Sequence, residues 1–226
     1  MIPILFEDNH CLALDKPAGL LSQGDATGDR SILDLARDDI RRRYDKPGNV
    51  FVGLVHRLDR PVSGVVVLAK TSKAAARLST QFREHQVEKV YLAVVEGTPL
   101  DAEGEWFDWL AKDARENRVS VVERGEHGKA AGLAYEVLDR GQGLSLLRLR
   151  PTTGRGHQLR VQLSSRGLPI VGDRKYGAKS PLRALDGGFR IALHAEHLAF
   201  NHPTRDERIS VSSPVPADWP RRFCRN

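Results

Sequence analysis

The sequence predicts an α+β fold. Short apolar runs with strand character recur along the chain, while helical periodicity is found in only three segments. The two kinds of element do not alternate as a strict strand–helix–strand series, which argues against a doubly wound parallel sheet. With 226 residues, 40% hydrophobic and 28% charged, the chain is expected to form one domain over residues 1–226, large enough to bury roughly 70% of its unfolded surface without staples.

Ile2 to Leu14 reads as two short strands around Glu7-Asp8-Asn9-His10, with Asp8-Asn9 as the turn pair. Asp15-Lys16-Pro17-Ala18-Gly19-Leu20 is a loop, broken by Pro17 and Gly19. Ser31 caps a helix running toward Tyr44, with Asp34 completing a weak capping box and Leu33, Ala36 and Ile40 as its apolar stripe. Arg41-Arg42-Arg43 fall in its last turn, where cations suit the helix dipole; a solvated helix end explains them better than an RNA grip. His56 to Lys70 reads as strand, tight loop, strand, with Asp59 at the loop between Arg57 and Arg60. Thr71 or Ser72 starts a second helix with Ala75, Leu78 and Phe82 on one face, and Val90 to Val95 is a strand closed by Gly97. Residues 99–131 look like a peripheral hairpin region. Tyr135–Leu138 and Leu144–Leu149 are strands around Gly141-Gln142-Gly143, and a third helix runs from about His157 to Ser165, ended by Gly167 and Pro169. The proline-rich tail over 202–220 is expected as extended chain.

Charge is unevenly spread. The net charge is +6, but residues 1–139 hold 19 Lys and Arg against 23 Asp and Glu, whereas residues 140–226 hold 16 against 6. An excess of this kind points to a polyanion partner, and the preference for Arg suits phosphate oxygens. The two cysteines, Cys11 and Cys224, stand near opposite ends with no CxxC spacing, as expected of a reducing cytoplasm and against a disulfide framework or zinc site. Glu7 and Asp8 stand where a signal peptide has Lys or Arg, and no apolar run approaches the roughly 20 residues that span a bilayer, so a cytoplasmic protein without membrane contact is expected.

Several segments could carry chemistry. Asp59 alone, between two arginines, reads most simply as a surface ion pair, although loops on a rigid sheet are where catalytic groups are usually placed. In Thr152-Thr153-Gly154-Arg155-Gly156-His157-Gln158-Leu159-Arg160, two glycines precede a helix start, an arrangement that can hold an anion or merely cap a helix. Gly172 to Gly177 is a turn-rich loop with two cations, and its glycines are at least as well explained by structure. Tyr91 lies on a strand, where tyrosines are more often half-buried core. The histidines show no HExxH spacing, and His194, His197 and His202 lack a completing cysteine or carboxylate set, so no metal site is expected. No dinucleotide fingerprint, P-loop or nucleophile elbow is present.

Taken together, the segments resemble the pseudouridine synthases of the RluA type. Asp15 to Leu20 resembles the family's N-terminal motif, and His56-Arg57-Leu58-Asp59 with Ser63-Gly64 its catalytic motif. Lys89-Val90-Tyr91 is similar to the segment carrying the active-site tyrosine. Thr153 to Arg160, then Pro169 to Asp173 and Tyr176-Gly177, resembles the third motif, and Leu193 through Pro203 the C-terminal strand region. Departures are Val62 for threonine, Gly156 for threonine or serine and Gln162 for histidine.

The resemblance implies the pseudouridine synthase fold: a central mixed, mostly antiparallel sheet flanked by helices and loops, with the active-site cleft across it. It implies isomerisation of uridine in structured RNA, rRNA or tRNA, with no cofactor and no metal. Asp59, Tyr91 and Arg160 would be catalytic, with Arg160 holding the Asp59 carboxylate ionised. His56, Arg57, Arg155, His157, Leu159 and Lys16 would bind substrate, Arg57 entering the space of the flipped base. No N-terminal S4 domain is expected, and the enzyme is expected to be a monomer. Two rival readings are a catalytically silent RNA-binding module, which has no need of Asp59, Tyr91 and Arg160 together, and an RNA N-glycosidase, which needs a second carboxylate and would release free uracil.

Overall fold

The computed structural model describes residues 2–125, 127–182 and 188–223; Cys224 lies outside them. The strands are β1 (Ile4–Glu7), β2 (Cys11–Lys16), β3 (Gly53–Leu54), β4 (Ser63–Ala69), β5 (Glu88–Glu96), β6 (Glu103–Asp113), β7 (Arg118–Val122), β8 (Lys129–Gly141), β9 (Leu144–Pro151), β10 (Leu193–Asn201) and β11 (Arg208–Ser212). The α-helices are α1 (Ile32–Arg43), α2 (Ser72–Arg83) and α3 (Gln158–Ser164). The fold is α+β, as expected. The chain forms two compact units, Met1–Glu88 with Ala195–Pro214, and Lys89–His194 with Val215–Asn226.

In the first unit β1 pairs antiparallel with β2, and β2 with β4. The turn predicted at Asp8-Asn9 forms because the Asp8 Oδ1 accepts the N–H groups of His10 and Cys11 at 2.8 and 2.7 Å. Every residue of β4 is buried, which is why its sequence is an unbroken apolar run rather than an alternation. Gly64 carries a φ of +114°, and a Cβ there would lie 2.2 Å from the Ala195 carbonyl oxygen, so only glycine fits.

Ser31 caps α1 with the reciprocal box to Asp34. The buried face is Ile32, Ala36 and Ile40; Leu33, predicted for it, is half-buried, because residues four apart stack on one helix face. Arg41 pairs with Asp38, and Arg42 and Arg43 with Asp39, so the triple arginine is an ion-paired helix end. Thr71 is the cap of α2, which buries Leu78 with Ala74 against Val65, Val67, Phe200 and Val211. Ala75 and Phe82 border the same core half-buried. Within the tail expected as extended chain, β11 pairs antiparallel with β10 over five residues.

The second unit orders its strands β5-β9-β8-β6-β7, each antiparallel to its neighbour. Gln142 and Gly143 both have positive φ, the two-residue hairpin turn whose twist matches the strands. The peripheral hairpin region expected at 99–131 holds β6 and β7, paired antiparallel at the end of the strand order, and the start of β8. Leu110, Val119, Ala131, Val161 and Tyr176 pack one face of β6 and β8 beneath α3.

Candidate active site

Asp59 sits half-buried in a loop clamped on both sides. On the N-terminal side, the Ser22 hydroxyl donates to the Leu58 carbonyl at 2.6 Å and accepts the Leu58 N–H at 3.1 Å. On the C-terminal side, the Arg60 carbonyl accepts from the Gly19 N–H at 2.7 Å and from Lys16 Nζ at 3.3 Å, while Arg60 Nε donates to the Gly19 carbonyl at 3.0 Å. The Asp59 carbonyl itself accepts the Val62 N–H at 3.0 Å. The sequence reason is plain: Pro17-Ala18-Gly19 makes a loop whose backbone faces a second loop, and Ser22 supplies a small two-way hydroxyl.

Lys16 is fully buried. Its ammonium donates to three carbonyls, those of Pro17, Leu20 and Arg60, which uses its three protons. Expected among the substrate-binding residues, it instead reaches the site from beneath, through the loop it holds and through its charge. Burial pushes its pKa down to about 7, and the negative charge of Asp59 is the first influence opposing that fall. His56 Nε2 accepts the Val67 N–H at 2.9 Å, and its ring stacks on Phe82 at 4.4 Å. Arg57 is exposed on the same loop.

In the second unit, Arg160 is buried on α3 and forked onto Asp173, Nε to Oδ2 at 2.7 Å and Nη2 to Oδ1 at 2.8 Å. Its guanidinium lies 4.9 Å from the Tyr176 ring centroid. The Tyr176 hydroxyl accepts the Val119 N–H at 3.0 Å and meets His157 Nδ1 at 2.7 Å. His157 occupies the left-handed region just before α3. The turn between Thr153 and His157 is fixed by Gln158, whose Oε1 accepts from Thr153 Oγ1 and the Arg155 N–H and whose Nε2 donates to the Gly132 carbonyl. Arg155 Nε donates to the Ala130 carbonyl, and Leu159 is buried. Tyr91 is half-buried on β5, opposite Leu149.

Three residues around these were not foreseen in these roles. Asp173 stood in a segment resembling the third motif, but its pairing with Arg160, thirteen residues away on another element, was not legible there. Tyr176 reads as a loop aromatic, yet it joins Arg160, His157 and β7. Lys89 donates to the Thr153 carbonyl at 2.9 Å, and burial pushes its pKa down to about 8.

Two sequence expectations change in the fold. The helix after His157 is only the seven residues of α3, so a dipole-based anion site at its start carries little force. Part of the basic excess of residues 140–226 is ion-paired to acids from earlier in the chain: Arg148 with Glu136, Arg166 with Asp108, Arg222 with Asp139 and Arg205 with Asp8. Gln162 is likewise buried against Asp108, and Gly156 has open space beside it.

Among the described residues Asp8, Cys11 and His202 form one group with metal-ligand atom types. His202 Nδ1 accepts the N–H groups of Thr204 and Arg205, which leaves the ring proton on Nε2, donated to Asp8 at 2.7 Å. A metal at Nε2 would require an imidazolate, and burial pushes the Cys11 thiol up to about 12. The group is a hydrogen-bonded corner of the fold. No helix among the described residues is long and apolar enough to cross a membrane.

Comparison with known proteins identifies the family. The sequence model of the family described as RNA pseudouridylate synthase matches residues 10–165. The chain is 37% identical over 218 residues to the dual-specificity RNA pseudouridine synthase RluA of Escherichia coli, covering 94% of this chain and 92% of that protein. It is 34% identical to the ribosomal large subunit pseudouridine synthase D of Zymomonas mobilis, covering 98% of this chain and 72% of the relative. The structure of human RNA pseudouridylate synthase domain containing 4 superposes with a TM-score of 0.77 at 27% identity, over 95% of this chain and 88% of that one.

Proposed function

The chain belongs to the RNA pseudouridylate synthase family, and from that premise we propose how its residues carry out the isomerisation of uridine in RNA to pseudouridine. The enzyme is an isomerase: the N-glycosidic bond of the target uridine is cleaved, the base turns, and C5 rejoins C1′. Asp59 is the essential carboxylate, acting as an anion that attacks the sugar or removes a proton beside it. The observation that carries this assignment is the two-sided clamp on its loop. Leu58 and Arg60 are both tied down, so the backbone that carries the carboxylate is held in place before substrate arrives, which supports the preorganisation that electrostatic catalysis needs.

Arg160, fixed by Asp173, is the cation of the site; Tyr91 stacks on the uracil with Leu159 packed beneath it. Its own reaction gives the enzyme a further task. A base inside an RNA stem is unreachable, so the target is flipped out at a cost of a few kcal/mol, and exposed Arg57 fills the space left. Arg155 and His157 meet the backbone of the bound strand. The substrate is a stem-loop of rRNA or tRNA.

The test is direct. Pseudouridines mapped in cellular RNA with and without the gene should differ at discrete stem-loop positions, restored by wild-type protein and not by Asp59→Asn. Appreciable turnover by purified Asp59→Asn protein would sink the assignment, and release of free uracil would replace it with an N-glycosidase.

A further inference from the structure

The β6–β8–β9 ribbon has two unlike faces. Cross-strand partners share a face, so the registers can be read as rows. On one face Trp106 stands beside Leu133, and Gly104 beside Tyr135 and Leu149. Tyr91, opposite Leu149, belongs to this face, which also receives α3. On the other face the rows are Glu105, Ala134 and Arg150; Phe107, Gly132 and Thr152; and Trp109 with Ala130.

That outer face is built as a shallow trough. Its floor on β8 is Ala130, Gly132 and Ala134, none larger than a methyl group. Phe107 rises on one side, 74% exposed, which is unusual for a phenylalanine and buries nothing in the fold. Its ring edge lies over Gly132: a Cβ there would be 3.1 Å from Phe107 Cε1 and 2.4 Å from Thr152 Oγ1. Two residues along, Trp109 carries the guanidinium of Arg124 at 6.0 Å from its ring centroid. On the other side stands Arg150, its side chain 49% exposed and only loosely paired with Glu136 at 3.7 Å. Arg155 is fastened at the end of the trough by its bond to Ala130. The glutamates of this face are Glu103 and Glu136, near Arg148, and Glu105, which shares the row of Arg150. The rows of Phe107 and Trp109 themselves hold no carboxylate.

An exposed ring, Phe107, and a half-buried one, Trp109, beside arginines over a floor of small residues fit one ligand class, single-stranded nucleic acid, whose bases stack on the rings while its phosphates meet the guanidinium groups. The spacing of Phe107 and Trp109 along the strand, about 7 Å, leaves room for a base on each. An apolar protein partner has no use for the arginines, and a fully paired helix cannot offer its base faces.

We propose that this outer face, centred on Phe107 and Trp109, holds a single-stranded segment of the substrate RNA outside the nucleotide being modified. The inference rests on the RNA substrate argued above. It adds that the enzyme grips RNA on the sheet face opposite Tyr91, reached around the Thr152–Gly156 turn, where Gly156 leaves open space.

Full-length wild-type, Phe107→Ala and Phe107→Tyr proteins separate the possibilities. Binding of a fluorescein-labelled ten-nucleotide oligouridylate and of a fully paired RNA hairpin is followed by anisotropy. Conversion is followed by tritium release from [5-³H]uridine-labelled RNA of a strain lacking the gene. Phe107→Ala should weaken oligouridylate binding by about 5- to 100-fold, the loss of one stacked base. It should leave hairpin binding within twofold and raise KM with little change in kcat, while Phe107→Tyr behaves as wild type. Equal oligouridylate affinity for wild type and Phe107→Ala overturns the proposal, as does an equal loss for both RNAs. A dimer that dissociates in Phe107→Ala, with oligouridylate binding unchanged, would make the face a contact between copies instead. If wild-type protein releases no tritium, the functional reading fails, a result independent of the oligouridylate arm.

Discussion

Arg160 and Asp173 form a buried two-bond fork, with Nε–Oδ2 and Nη2–Oδ1 distances of 2.7 and 2.8 Å and side chains 5% and 0% exposed. The pair fixes the orientation of the proposed catalytic cation from a loop outside its helix. Removing one partner of a buried ion pair costs about 3–5 kcal/mol. Asp173→Asn should therefore lower the melting temperature by roughly 10 °C and reduce kcat more than it raises KM. A variant that melts within 2 °C of wild type, roughly the noise expected of a neutral surface change, would show the fork to be dispensable.

Asp59→Asn keeps the shape of the loop residue and removes its charge. Product formation should disappear while RNA affinity changes by less than about threefold and stability by less than about 1 kcal/mol, since the clamp on Leu58 and Arg60 is backbone and survives. Single-turnover conversion and filter binding on the same preparation test both halves.

Lys16→Met removes the donor shared by three buried carbonyls, and each orphaned group costs about 1–3 kcal/mol. Part of that loss is returned because a buried cation is no longer needed, and the sign of the pH dependence reveals it. The folded pKa is lowered to about 7 from an ordinary 10.5, so between those values the unfolded chain binds the extra proton. The contribution of Lys16 to stability is thus complete above about 10.5 and is lost as pH falls through about 7. Urea denaturation at pH 6.5, 8 and 9.5 should show a rising component in wild type that is absent in Lys16→Met; parallel curves would contradict it.

Gly64→Ala should be among the most damaging single-methyl changes. Its Cβ would fall 2.2 Å from a backbone oxygen of Ala195, at a φ that side chains rarely adopt. A loss above about 3 kcal/mol, or failure to fold, is expected; a circular dichroism melt indistinguishable from wild type would refute the close approach.

Arg57→Ala touches an exposed side chain. Its effect should be confined to RNA, with kcat/KM falling at least tenfold and thermal stability unchanged within about 0.5 kcal/mol. A stability loss without a kinetic defect would assign Arg57 to the fold.

Much of the fold was legible because its signals are local. The capping box of Ser31 and Asp34, the Gln142-Gly143 hairpin and the unbroken apolar run of β4 each lie within a few residues of their cause. Even there, a one-residue shift moved the face of α1 from Leu33 to Ile32. The family was legible because its motifs stand in order along the chain, and the site proposed on Asp59, Tyr91 and Arg160 rests on those motifs.

By itself, the sequence determined the class of fold, the family and the residue types available for chemistry, since these follow from short-range pattern and motif order. Tertiary structure decided what those residues are committed to. Lys16, a candidate RNA contact in one dimension, is spent on three carbonyls beneath Asp59. Several arginines of the basic C-terminal stretch pair with acids from earlier in the chain, and Arg160 is forked onto Asp173. Most of these pairings join separate elements, and no local pattern encodes them because burial and partner distance exist only once the sheet has formed.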